Sequence, residues 1–252
     1  MDFTGKTAIS TGAASGMGFL FSQNFASLGG NVVLCDVNEK VLNEKVDEIN
    51  AKGQGKAIGV LCDVRDYKQI CNVRDKAVEI FGSIDVVVNF AGGTARRMLN
   101  VDWSLEYPDV PIEVFDWGLD VNLKGPFYFA HAVLPQMRKQ KSGLILFIGS
   151  ITGAEGDGNA MDYPTAKAGL MYGLTKSVAQ YGAQYGIRSV CVSPGPVLTR
   201  AAMANMKTLL GRAAEPQEII DLCLFLASEK GQFINGENIM IDGGRNAMGR
   251  WN

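Results

Sequence analysis

Short runs rich in β-branched residues alternate along the chain with helix-length stretches. The apolar runs predict strands over 7–11, 31–35, 57–61, 86–89, 144–148, 189–192 and 238–241. Between them the pattern predicts helices over 16–28, 38–52, 66–81, 112–140, 162–185 and 216–227. Several strands are continuously apolar, Val86-Val87-Val88 and 144–148 among them. That is the signature of strands buried on both faces of a sheet. Seven strands alternating with six helices imply βαβ units and a parallel sheet, and right-handed crossovers place helices on both of its faces. No repeat, linker or low-complexity segment divides residues 1–252, so one doubly wound α/β domain is expected. Two stretches break the rhythm, 92–111 and 196–216. Both follow carboxyl ends of strands, where open α/β sheets bind ligands, and loops of this length in a compact domain are usually functional or disordered. The second stretch is the expected lid, about 196–215.

Composition narrows the function classes. The 252 residues carry 24 Lys+Arg against 26 Asp+Glu, a net charge of −2, with 47% apolar residues. Such a chain is no disordered polymer, and folding should bury roughly three-quarters of its unfolded surface. It lacks the basic footprint of a nucleic-acid binder. The single histidine, His131, excludes a Ser-His-Asp triad or a multi-histidine metal site; no nearby Cys or His completes one, so no metal is expected. His131 reads as a structural residue. The aromatics Phe115, Trp117, Phe127, Tyr128 and Phe129 read as core or subunit contacts. Five scattered cysteines, with no C-x-x-C pair, read as reduced and structural, pointing to the cytoplasm. Met1–Lys6 shows neither a basic nor an apolar leader region, so no secretory signal is expected. Residues 7–35 contain no charge, but their glycines and polar residues exclude a membrane span.

The explanation for that uncharged stretch is Thr11-Gly12-Ala13-Ala14-Ser15-Gly16-Met17-Gly18, directly between a strand and a helix. Gly12 permits a tight turn, Gly16 lets backbone approach a pyrophosphate favoured by the helix N-terminus, and Gly18 lets that helix pack on the sheet. The second strand ends in Asp36, eighteen residues past Gly18. A carboxylate there can accept the adenosine ribose hydroxyls and repels a 2′-phosphate. Ala13, Ala14, Ser15, Val37 and Asn38 supply no cation for such a phosphate. NAD rather than NADP is therefore expected. Asp36 could instead cap the next helix, although Asn38 serves that purpose equally well.

The sharpest constellation is Tyr163-Pro-Thr-Ala-Lys167. Asp162 can cap a helix and Pro164 fits only a first turn. Tyr163 and Lys167, four apart, then share one face. An ammonium nearby lowers the phenol's pKa, which makes Tyr163 a proton-transfer candidate.

With these motifs the chain resembles the short-chain dehydrogenase/reductase family from Gly5 to about Gly244. Further matches are Asp63-Val64 after the third strand, Asn89-Phe-Ala-Gly92 after the fourth, Asn122 and Ser150. Pro194-Gly195 with Val197 and Thr199, and Asp242-Gly243-Gly244, complete the series. The resemblance implies a Rossmann-type fold and NAD as cofactor. It implies Tyr163 as general acid/base, and Lys167 as holder of the nicotinamide ribose and modulator of the tyrosine. Ser150 would bond the substrate oxygen and Asn122 would support a proton-relay water. Gly12, Ser15, Gly16, Met17, Asp36, Asp63, Val64, Asn89, Ala91, Gly92, Pro194, Gly195, Val197 and Thr199 would contact the dinucleotide, with Thr11 bracing the glycine turn. The family usually shows Asn-Asn-Ala-Gly, and Phe90 replaces the second asparagine. Position 90 should face away from Asn89, so a packing change is expected rather than loss of activity.

For the substrate, the segment 150–162 carries Glu155, Asp157, Asn159 and Asp162, an unusually polar pocket wall. It favours a small polar alcohol (sugar, polyol or hydroxy acid). A 3-oxoacyl- or steroid-type reductase, or a non-catalytic NAD-binding regulator, is the alternative. Arg96, Arg97 and Arg200 suit a carboxylate, against the plainer reading of surface arginines. The apolar residues of 200–211 can close over the nicotinamide. The tail 245–252, with Trp251, reads as a subunit contact, so a homotetramer is expected and a dimer is the runner-up.

Overall fold

The computed structural model describes residues 1–248. The first half alternates regularly: β1 (Thr7–Thr11), α1 (Gly16–Ser27), β2 (Asn31–Asp36), α2 (Glu39–Asn50), β3 (Ala57–Leu61), α3 (Tyr67–Phe81) and β4 (Val86–Asn89). Then come α4 (Ala95–Met98), α5 (Ile112–Leu119), α6 (Gly125–Gln140), β5 (Gly143–Ile148), α7 (Thr152–Glu155), α8 (Asp162–Ala168) and α9 (Thr175–Gly182). β6 (Ile187–Pro194), α10 (Pro216–Ala227) and β7 (Asn238–Ile241) complete it. Every neighbouring pair in the seven-stranded sheet is parallel, in the order β3-β2-β1-β4-β5-β6-β7. The doubly wound Rossmann-type architecture is thus present.

Alternation along each strand feeds two cores. Ala8, Val32, Leu34, Val86 and Val88 pack against Phe21, Phe25, Leu42 and Ile219 from α1, α2 and α10. Ile9, Val33, Val87, Ile145 and Phe147 pack against Ile70, Val73, Phe129 and Val178 from α3, α6 and α9. Burying a large apolar side chain contributes roughly 1.5–3 kcal/mol, so the two layers hold the sheet rigid from both sides. Local chemistry sets the helix ends. The side chain of Asn38 accepts from Val41 N, and that of Asp66 accepts from Lys68 N and Gln69 N. Asn38, not Asp36, is therefore the cap of α2.

Two expected helices are broken. The stretch 112–140 divides into α5 and α6 around a π turn, Asp120–Lys124, and 162–185 divides into α8 and α9 around a second, Gly169–Leu174. The flanking residues keep helical angles (Leu119 at φ −67°, ψ −42°; Ala168 at φ −60°, ψ −41°). A π turn widens only the hydrogen-bond register, so the apolar pattern runs through it unmarked. The loop 92–111 is likewise not featureless. It contains α4, and Ala95, Val110, Val114 and Phe115 form a small satellite core beneath it.

The carboxyl ends of β1 and β4 lie side by side, with Thr11 paired to Asn89. Chain order reverses between these strands, opening a crevice at their ends. Thr11 Oγ1 accepts from Ala91 N at 3.0 Å, so it ties the two strand ends together rather than bracing the glycine turn itself. Phe90 turns into the α1 side, its ring 5.8 Å from that of Phe21, as the alternation predicted. His131 lies exposed on α6, with Nδ1 2.5 Å from the Tyr67 hydroxyl. Of the five thiols, Cys35, Cys62, Cys191 and Cys223 are buried. The tail reaches a short turn at Arg245–Ala247, and Trp251 lies outside the described residues.

Candidate active site

A cleft of about 620 Å³ follows the crevice. Its wall includes Gly12, Ser15, Gly16, Met17, Asp36, Asp63, Val64, Ala91, Gly92 and Thr199, ten of the expected cofactor positions. Asn89, Pro194, Gly195 and Val197 stand behind that wall instead. Asn89 is buried and donates to Leu146 O, Val197 is buried beside Ala214, and Gly195 is pressed on Asp242, where a Cβ would meet Cα at 2.6 Å. These residues shape the cleft through backbone placement rather than by side-chain exposure.

At the dinucleotide end, Gly16 has φ +55° and open space where a Cβ would stand. A Cβ on Gly18 would lie 2.5 Å from Gly12 O, so helix and turn are in direct contact there. Ser15 precedes α1 in an extended conformation and its side chain caps nothing. The first amides of α1 therefore keep their hydrogen-bonding capacity for an anion in the cleft. Asp36 Oδ2 accepts from Ala14 N and Oδ1 from Asn38 N, both at 3.0 Å, which fixes the carboxylate against the glycine turn. Arg65, unexpected in the wall, is occupied by Asp63, its Nε 3.0 Å from both carboxylate oxygens. That guanidinium holds the Asp63 carboxyl below its ordinary range.

The four expected catalytic residues stand behind the wall at the other end, next to Gly92, and none of them is among the lining residues. Lys167 is only 4% exposed, and its Nζ donates to Ile148 O at 2.8 Å and lies 5.4 Å from the Tyr163 ring centre. Burial lowers its ammonium from 10.5 to about 8. Asn122 sits in the first π turn. Its Nδ2 donates to Gly93 O (2.9 Å) and Gly118 O (2.8 Å), while its Oδ1 accepts from Gly93 N at 2.9 Å. Gly92 fits between these groups, for a Cβ there would lie 2.5 Å from Asn122 Oδ1 and 3.6 Å from Lys167 Nζ. Ser150 Oγ accepts from Thr152 N and Thr152 Oγ1.

The electrostatics of Tyr163 differ from expectation. Burial pushes the phenol above its ordinary value, and the groups pulling it down are the Ser150 hydroxyl, Arg97 and Arg200. Lys167 donates to the Ile148 carbonyl while its ammonium stays over the Tyr163 ring, so the two arginines add to the cationic surroundings of the phenol.

The polar wall at 150–162 also needs correcting. Glu155 is paired with Arg245 at 2.9 Å, and Asp157 Oδ1 accepts from Asn159 N. Asp162 is the first residue of α8 and buried, with backbone amides of Tyr163 and Ala95 near its carboxyl. Burial raises its pKa. None of these acids presents a free charge to the cleft. What the wall does contain is Arg97, Met98, Trp117, Val121 and Arg200. Trp117, read as core or contact, and Val121 lie four residues apart across the end of α5 and the π turn and so share one face, but neither stands at helical spacing from Asn122 and no local signal marked them. Among the described residues no helix is long and apolar enough to cross a membrane, and no group of three or more His, Cys, Asp or Glu side chains could hold a metal.

A family model described as "Enoyl-(Acyl carrier protein) reductase" matches residues 12–246. Trans-4-hydroxycyclohexanecarboxylate dehydrogenase of Sinomonas cyclohexanicum is 38% identical, over 96% of this chain and 93% of its own. The 3-oxoacyl-[acyl-carrier-protein] reductase FabG of Thermotoga maritima is 35% identical, over 97% and 99%. The 7alpha-hydroxysteroid dehydrogenase of Bacteroides fragilis is 33% identical, over 96% and 95%. With matches of this extent on top of the glycine turn, the Tyr163–Lys167 pair and the sheet order, the chain belongs to the short-chain dehydrogenase/reductase family of oxidoreductases.

Proposed function

We propose that the protein is an NAD-dependent oxidoreductase that interconverts a small polar secondary alcohol and its ketone, with Tyr163 moving the proton. The grouping of Tyr163, Lys167, Ser150 and Asn122 behind Gly92, Arg97 and Arg200 of the cleft wall carries this reading. The dinucleotide, when bound, supplies the hydride acceptor or donor. The free first-turn amides of α1 and the open Gly16 suit its pyrophosphate, and Asp36 suits the ribose diol. The cleft-lining cation Arg65 is already neutralised by Asp63, leaving Asp36 to repel a 2′-phosphate, so NAD is preferred to NADP.

In the oxidative direction the Tyr163 oxygen takes the substrate hydroxyl proton, and in the reductive direction it returns one. Ser150 holds the substrate oxygen. With a dinucleotide bound, Lys167, whose ammonium burial brings down to about 8, would hold the nicotinamide ribose hydroxyls beside Tyr163, on the side of the proton relay where Asn122 stands. Asn122 is locked by Gly93 and Gly118 and gives the relay a fixed wall. Met98, Trp117 and Val121 suit a short hydrocarbon frame and Arg97 and Arg200 suit polar groups on it, which favours a hydroxy acid among the small alcohols. We place the enzyme in the cytoplasm as a homotetramer, with a dimer as the other assembly.

Tyr163→Phe tests the reading. NADH formation from grouped alcohols should fall about 10²–10⁴-fold while NAD binding, followed by fluorescence titration, persists. Unchanged turnover would leave a non-catalytic NAD-binding role.

A further inference from the structure

We propose that Arg97 and Arg200 together form a carboxylate-recognition site, so that the alcohol oxidised is a hydroxy acid bound by its anionic end; this rests on the cleft being that of an alcohol dehydrogenase.

The three arginines near the substrate end have separate fates. Arg96 is 0% exposed, and its guanidinium donates to Asn159 O (3.1 Å), Leu105 O (3.1 Å) and Asp102 O. It is consumed in holding the loops after β4 and β5 together and has nothing to offer a ligand. Arg97, the next residue on the same short helix, points the other way. It lines the cleft, with Nη2 2.8 Å from where a Gly93 Cβ would stand. Gly93 in turn exchanges two hydrogen bonds with Asn122. The Arg97 guanidinium is therefore set beside the proton relay. Arg200 follows Thr199 at the root of the lid and lines the same cleft.

Both guanidinium groups line the one cleft; burial and then the Arg200 charge lower the Arg97 pKa, and both arginines pull down the Tyr163 phenol. Among the described residues neither has a carboxylate partner, although Arg65, Arg74, Arg212 and Arg245 each do. The one polar contact of the Arg200 guanidinium is the Met203 sulfur at 3.7 Å. The acids of the opposite wall are bound up within the fold. Two like charges facing one cleft without a counter-ion are mutually unfavourable, and an anion between them removes that cost. Guanidinium pairs favour the planar, bidentate geometry of a carboxylate. The pyrophosphate does not compete for this place, since its site lies at the α1 end of the cleft.

The test compares kcat/KM with NAD for straight-chain and cyclic hydroxy acids and their uncharged primary amides, which keep shape and hydrogen-bonding capacity. The wild-type protein should prefer the acids by at least about tenfold, the effect of one charge-assisted hydrogen bond. Arg97→Gln and Arg200→Gln should each shrink the acid-to-amide ratio, and the double variant should bring it near one. The wild-type ratio alone suffices if a variant fails to fold. Amides turned over as well as acids would overturn the proposal and leave the polar-alcohol reading intact. Turnover of steroids or long acyl chains, with both series inert, would overturn both. Inactivity toward every alcohol would also overturn it.

Discussion

Replacing Lys167 by methionine removes an ammonium that is 4% exposed and has no carboxylate beside it. Its ordinary value of 10.5 falls to about 8 in the fold. The free-energy equivalent, at about 1.4 kcal/mol per pH unit, is a penalty of about 3 kcal/mol for holding the charge inside. At and below pH 8 lysine is protonated in both folded and unfolded chains, so the penalty is fully present. Between about 8 and 10.5 the unfolded chain binds a proton that the folded chain does not, and stability rises with pH. Above 10.5 both states are neutral and the penalty is gone. Methionine carries no charge at any pH, but it leaves the Ile148 carbonyl without its donor, costing about 1–3 kcal/mol. At pH 7 the Lys167→Met protein should therefore be at least as stable as the wild type. By pH 10 the wild type should have gained about 2–3 kcal/mol relative to it. Urea unfolding of both proteins without dinucleotide, in steps from pH 7 to 10, measures the difference. A difference constant to within about 0.5 kcal/mol across that range would refute burial as the cause.

Asp162 reverses the sign of that dependence. Burial raises its pKa and outweighs the backbone amides that favour the carboxylate, so ionisation costs stability that is progressively lost as pH rises above the ordinary carboxylate range. Asp162→Asn should raise Tm, and by more at pH 8 than at pH 4; an equal shift at both pH values would contradict this. Phe90→Asn restores the residue usual in the family but withdraws a ring packed at a tilt against Phe21. It should cost about 2 kcal/mol, a fall of about 4–8 °C in Tm by scanning calorimetry, and an unchanged Tm would remove the packing explanation.

The strands were readable in the sequence because burial on two faces leaves uninterrupted β-branched runs, as in Val86-Val87-Val88. The glycine turn and the Tyr163–Lys167 pair were readable because their spacing is local. Three things were not. The π turns at 120–124 and 169–174 alter a hydrogen-bond register while helical angles continue, and no residue type marks that change. The acids of 150–162 looked available, yet an ion pair, a turn and burial consume them through contacts up to 90 residues apart in sequence. Arg96 and Arg97 are chemically identical neighbours. Which of them turns inward depends on the satellite core under α4, and its partners lie up to 63 residues away.

That last pair bears on how such a cleft diverges over evolutionary time. Arg96 supports two loops through carbonyls, so any replacement lacking its fork would loosen both, and selection for folding alone keeps it. Arg97, one residue later, contributes little to the loop's foundations and is exposed to whatever enters the cleft. If the two arginines read the substrate as proposed, a lineage can exchange residue 97, or residue 200 at the lid root, and change what the cleft accepts while the glycine-turn half and the loop scaffold stay as they are.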